Sequence, residues 1–151
     1  EGLSIAQSLG AIELQALFTG NLADLAEWQD DLYSARSYHQ AALEILLRLE
    51  NHYTTLWELV NCARVEQRLG NFVSVLKLTG TIETHLELLN IRFPDYQMAV
   101  LREAAEVATQ ALGEREALTL RQEGQKMSLR EALDLLNQEP TPTHQRAAVG
   151  S

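Results

Sequence analysis

A chain of 151 residues with 46% hydrophobic and 22% charged side chains has the composition of a folded globular domain and the length to bury a core. Its net charge of −9 is unevenly placed: residues 1–31 hold Glu1, Glu13, Asp24, Glu27, Asp30 and Asp31 with no Lys or Arg. Direct nucleic-acid and anionic-membrane binding are disfavoured, because both need a cationic footprint.

The first element is expected to be one long helix from Leu3 to Trp28. Its apolar residues, among them Ile5, Leu9, Ile12, Leu14, Phe18, Leu22 and Leu25, come close to the recurrence of a helix buried along one side. Gly10 and Gly20 each mark a kink, a break or a close approach of another backbone. Asp30-Asp31 forms the turn, and Asp31 caps a second helix over about Leu32–Leu49. The buried side of that helix is expected to include Leu32, Ala35, Tyr38, Ala42, Ile45, Leu46 and Leu49.

Asn51 and His52 lead into a third helix, where Thr55 and Glu58 have capping-box spacing; it ends at Leu69-Gly70. Asn71 is placed to cap a fourth, from Phe72 to about Ile91, with Gly80 as its weak point. Phe93-Pro94 stops that helix, since the residue before Pro is pushed out of helical geometry. Helices then follow over Asp95–Leu112, Glu114–Lys126 and Leu129–Asn137, the last opened by a Ser128/Glu131 capping box. From Glu139 the composition shifts to EPTPTHQRAAVGS, expected to be a flexible tail over 139–151.

A shift of 40 residues superposes the first two hairpins, setting Asn21 on Asn61, Asp31 on Asn71, Leu32 on Phe72, Leu46 on Leu86 and Leu49 on Leu89. Such a period signals stacked hairpins. The expected fold is therefore all-α: antiparallel helical hairpins stacked as a right-handed solenoid over residues 1–138, with hairpins at about 4–50 and 53–92 and closing helices at about 95–137.

Leu22 and Ala23 on the first helix, with Ala35 and Ala42 on the second, make residues 13–92 resemble tetratricopeptide repeats. The 40-residue spacing is longer than the usual 34, Asp30 replaces the customary turn glycine, and Val75 and Ile82 replace small residues. The segment Ala105–Leu136, with Leu112-Gly113, Gly124, Met127-Ser128 and Glu131-Ala132-Leu133, is similar to the closing segment of helical-repeat domains in bacterial signal-transduction ATPases and in LuxR-type and maltose-activator-type transcriptional regulators. That resemblance implies a sensor or scaffold domain beside a nucleotide-binding switch and a helix-turn-helix effector, modules this sequence does not contain. The missing initial Met is in keeping with a fragment of such a regulator.

Catalysis has no visible residues: GxxxxGK[ST], HExxH, GxSxG and paired-Cys motifs are all missing. His39, His52 and His85 lack ligand spacing, and His85 and Glu87, two apart on a helix, point away from each other. No metal and no cofactor are expected. Cys62, the single cysteine, permits no internal disulfide, which suits the cytoplasm, and is expected to be a buried structural thiol. No apolar run approaches the roughly 20 residues of a membrane span, and the start lacks the basic region of a signal peptide.

The partner surface is expected on the concave face lined by the first helices of successive hairpins. Asn21 and Asn61 lead there, as ligand contacts or as ties between helices, followed by Asp24, Trp57, Arg64 and Arg68. Trp28 and Trp57 are expected chiefly in the core, with an anchoring role as the alternative. The function implied is a non-enzymatic protein-interaction or effector-sensing domain of a cytoplasmic regulator, its partner a protein, a peptide or a neighbouring domain. Self-association is the alternative.

Overall fold

The computed structural model describes residues 2–138, which form seven α-helices with no strand among the described residues. They are α1 (Gly2–Trp28), α2 (Leu32–Arg48), α3 (His52–Arg68), α4 (Phe72–Leu88), α5 (Asp95–Leu112), α6 (Glu114–Gln125) and α7 (Leu129–Asn137). The tail expected over 139–151 lies outside the described residues. No helix described is long and apolar enough to cross a membrane.

Turns set the spacing of the first four helices. Asp30, Glu50, Gly70 and Asn90, twenty residues apart, take φ of 65°, 54°, 82° and 54°. In each turn the next amide donates back five residues to close the helix end: Asp31 N to Ala26 O at 2.8 Å, Asn51 N to Leu46 O at 3.2 Å, Asn71 N to Glu66 O at 2.9 Å, and Ile91 N to Leu86 O at 2.9 Å. Each closure reverses the chain within about three residues, so consecutive helices pack side by side. The fourth helix consequently ends at Leu88, three residues earlier than expected.

Caps complete the helix starts. Asp31 accepts from Ser34 N at 3.2 Å and Asn51 from Thr54 N at 3.1 Å. Asn51 is thus the cap of α3, and the expected Thr55/Glu58 box does not form: Thr55 Oγ1 donates to Asn51 O at 2.7 Å from inside the first turn. Asn71 holds the cap position of α4 but turns its amide to Glu66, donating at 2.7 Å. At α7 the Ser128/Glu131 box is present, with both reciprocal bonds.

α3 packs against α2, α4 and α5, and it supplies Leu56, Leu59, Val60 and Ala63 to the main core. Leu43, Leu78, Ile82, Leu101, Leu133 and Leu136 meet them there. Burying each such large side chain contributes about 1.5–3 kcal/mol. α6 lies on α4 through two glycines. A Cβ at Gly80 would sit 2.1 Å from Arg121 O, and one at Gly124 2.0 Å from Lys77 O. Thr81 Oγ1 spans the contact, donating to Gly124 O at 2.8 Å and to Lys77 O at 3.0 Å. Gly80 is therefore a crossing point between helices rather than a weak point.

α1 departs most from expectation. Its buried residues are the small ones, Ala16, Gly20, Ala23 and Ala26; α1 packs chiefly on α2, and Gly20 faces Glu58 of α3. Ile5, Leu9, Ile12, Leu14, Phe18, Leu22 and Leu25 are exposed, and Trp28, expected in the core, is 87% exposed. α2, with 17 residues, cannot cover the 27 of α1, and α1 carries apolar residues around its whole circumference, so periodicity does not choose a side. The helix runs unbroken through Gly10, which has no close neighbour. In α2 the inward residues are Ala35, His39, Ala42, Leu43 and Leu46, with Tyr38 exposed.

Candidate recognition groove

α1 and α3 make little direct contact, and between them lies a half-open groove of about 530 Å³. α1 lines it with Glu13, Leu17, Asn21 and Asp24, and α3 and its cap with Asn51, Tyr53, Trp57, Glu58 and Asn61; Leu46 of α2 also lines it. Four of the six residues expected on the concave face, Asn21, Asp24, Trp57 and Asn61, therefore come together along one groove.

The two asparagines differ in environment despite their equivalent positions. Asn61 is buried, its Oδ1 accepting from Arg64 Nη1 at 3.2 Å and from Gln97 Nε2 at 3.3 Å. Asn21 is exposed in the groove. The difference follows from packing: α5 lies against α3 and brings Gln97, whereas among the described residues only α2 packs extensively on α1.

Arg64 and Arg68 are held by carboxylates of α1. Arg64 forks onto Glu27 with bonds of 2.6 and 2.7 Å, while Arg68 pairs with Asp30 and reaches Glu27 O at 3.4 Å. Burial alone would raise the Glu27 carboxyl; the Arg64 fork outweighs it and holds Glu27 below the ordinary value. These pairs join α3 to the C-terminal turns of α1 and leave the rest of the groove open.

Trp57 is half-buried. Its ring meets Phe93 and Tyr96 edge-on, at centroid distances of 5.2 and 5.9 Å, and lies 6.2 Å from Tyr53 in a stacked arrangement. Phe93, in the loop between α4 and α5 and not at the end of α4 as expected, thus braces an aromatic side of the groove.

His39 is the residue that sequence reasoning missed. It is fully buried in α2, and its Nδ1 lies 2.6 Å from Glu58 Oε2. A ring nitrogen of His39 and carboxylate oxygens of Asp24 and Glu27 fall within 4.8 Å of one another. Partial burial raises the Asp24 carboxyl above its usual value, with Glu58 adding to the rise and His39 and Arg64 opposing it. The available signal was position: 35, 39, 42, 43 and 46 share one helical face. Cys62 is buried as expected, and burial pushes its thiol well above the usual range, so it offers no thiolate.

The groove thus combines apolar surface, amide groups and acid, a set suited to holding a polypeptide segment. Comparison with protein-family models, curated proteins and solved structures gives no match to the chain.

Proposed function

We propose that this chain is a protein-interaction module, built of stacked tetratricopeptide-like hairpins, that binds a polypeptide segment in the groove between α1 and α3. The observation that carries the reading is the groove's mixed lining: Leu17, Tyr53 and Trp57 beside Glu13, Asp24 and Glu58, with the exposed amide of Asn21. Such a lining favours a ligand with apolar or aromatic side chains and at least one Lys or Arg. The twenty-residue recurrence of left-handed turns supports the stacked-hairpin reading. The resemblance of Ala105–Leu136 to regulator domains suggests the setting, a cytoplasmic bacterial regulator in which ligand binding favours one arrangement of the helices over another. Selection of a random peptide library on the immobilised chain tests this. Basic, apolar ligands are expected; an acidic consensus, or no enrichment, contradicts it.

A second reading, self-association, is favoured by the outer face of α1. Leu14, Phe18, Leu22 and Leu25 recur at four- and three-residue steps and are 49%, 58%, 46% and 51% exposed. Contiguous apolar stripes of this kind mark interaction surfaces. Sedimentation velocity should show a dimer growing with concentration in the native chain and monomer in the Phe18→Asp, Leu25→Asp double variant. A native chain that is monomeric throughout would exclude this reading.

A further inference from the structure

The strongest chemistry outside the peptide-binding reading lies where α1, α2 and α3 meet. His39 has no exposed surface, and its two ring nitrogens are treated differently. Nδ1 is engaged by Glu58 at 2.6 Å, whereas Nε2 has no hydrogen-bond partner among the described residues. A neutral imidazole that donates Nδ1–H to the Glu58 carboxylate leaves its Nε2 lone pair available. A carboxylate on one ring nitrogen is the arrangement that fixes the tautomer and ring orientation of a metal-binding histidine.

Two carboxylates complete the set. Asp24 and Glu27 each place an oxygen within 4.8 Å of a His39 ring nitrogen and of one another. A tetrahedral ion about 2.1 Å from each ligand needs them roughly 3.4 Å apart. Asp24 is exposed, so rotation of its side chain can close the remaining distance. Glu27 keeps its fork to Arg64, since a carboxylate has about four acceptor sites and the fork uses two.

Charge points the same way. Asp24, Glu27, Glu58 and Asp30 are four carboxylates facing two guanidiniums: Arg64 pairs with Glu27, and Arg68 pairs with Asp30 and lies 3.5 Å from Glu27 Oε2. The carboxylates exceed the guanidiniums by two, the complement of a divalent cation.

We propose that Asp24, Glu27 and His39 form a binding site for a divalent transition-metal cation of the zinc class, with Glu58 orienting His39 from behind. One nitrogen and two oxygen ligands suit Zn²⁺, whereas Mg²⁺ takes oxygen ligands. Asp24 also lines the groove, so coordination positions beyond the three protein ligands face that opening. The site does not depend on the peptide-binding reading, and either can fail alone.

The test is calorimetric titration of the purified full chain with Zn²⁺, with Mg²⁺ as control. Expected are one saturable Zn²⁺ site per chain and no Mg²⁺ heat. Affinity should fall at least tenfold in Asp24→Asn and in His39→Gln, and should be unchanged in His52→Ala, which removes an exposed histidine. Asp24→Asn alters an exposed residue, so it keeps the test decisive if His39→Gln fails to fold. No saturable Zn²⁺ binding, or binding undiminished in Asp24→Asn, would overturn the proposal.

Discussion

Glu66 carries a carboxylate with no exposed surface, in the last turn of α3. Arg36 of α2 pairs with it, and Asn71 Nδ2 donates to it at 2.7 Å. Such a group is tolerable only while both partners remain, because an uncompensated buried charge is severely penalised. Arg36→Ala should therefore destabilise the fold by about 3–5 kcal/mol in urea denaturation. The Arg36→Met, Glu66→Met pair should cost less, since it buries no lone charge. Equal losses in the two would show that packing around Arg36, and not charge compensation, is what matters. Neither partner was legible in the sequence: Asn71 reads as a cap from its place after Gly70, and nothing local links Arg36 to a residue thirty positions on.

The element scale shows where local rules suffice and where they do not. α5 begins after Pro94 and ends before Gly113, and α7 opens on Ser128/Glu131, each boundary set by residues within a turn of it. Such signals are readable because the chemistry is local. The glycines are different, since Gly10 and Gly124 look alike in sequence and only the second has a backbone against it. Gly124→Ala should cost at least about 2 kcal/mol, at the severe end of overpacking because the obstruction is main chain. Gly10→Ala should stabilise α1 by up to about 1 kcal/mol, because no neighbour opposes a Cβ there. Thermal unfolding of the two variants checks the contrast; matching shifts would refute the close contact of α4 and α6.

At the scale of the whole molecule, one helix sets which surfaces the described residues present. α1 uses its small residues to pack on α2, leaves its large apolar residues outward, and forms one wall of the groove with Leu17, Asn21 and Asp24. The sequence placed Asn21 and Asn61 in register from the 40-residue period, yet it could not show that α5 would bury one and leave the other open. Nor could it orient α1, whose apolar residues run all the way round. His39 was hidden because its partner Glu58 comes from α3 and its neighbours Asp24 and Glu27 from α1, and no motif spans the three helices.

The central claim is that the groove between α1 and α3 is the working surface. Its most direct test is the affinity of a library-selected peptide, measured by fluorescence anisotropy, for the native chain and for the Glu13→Lys, Leu17→Arg double variant. Both positions are exposed, so the variant should fold normally. The account predicts at least a tenfold loss, about 1.4 kcal/mol, through reversed charge and lost apolar contact. Equal affinity for the two proteins would place the binding surface elsewhere and contradict the account.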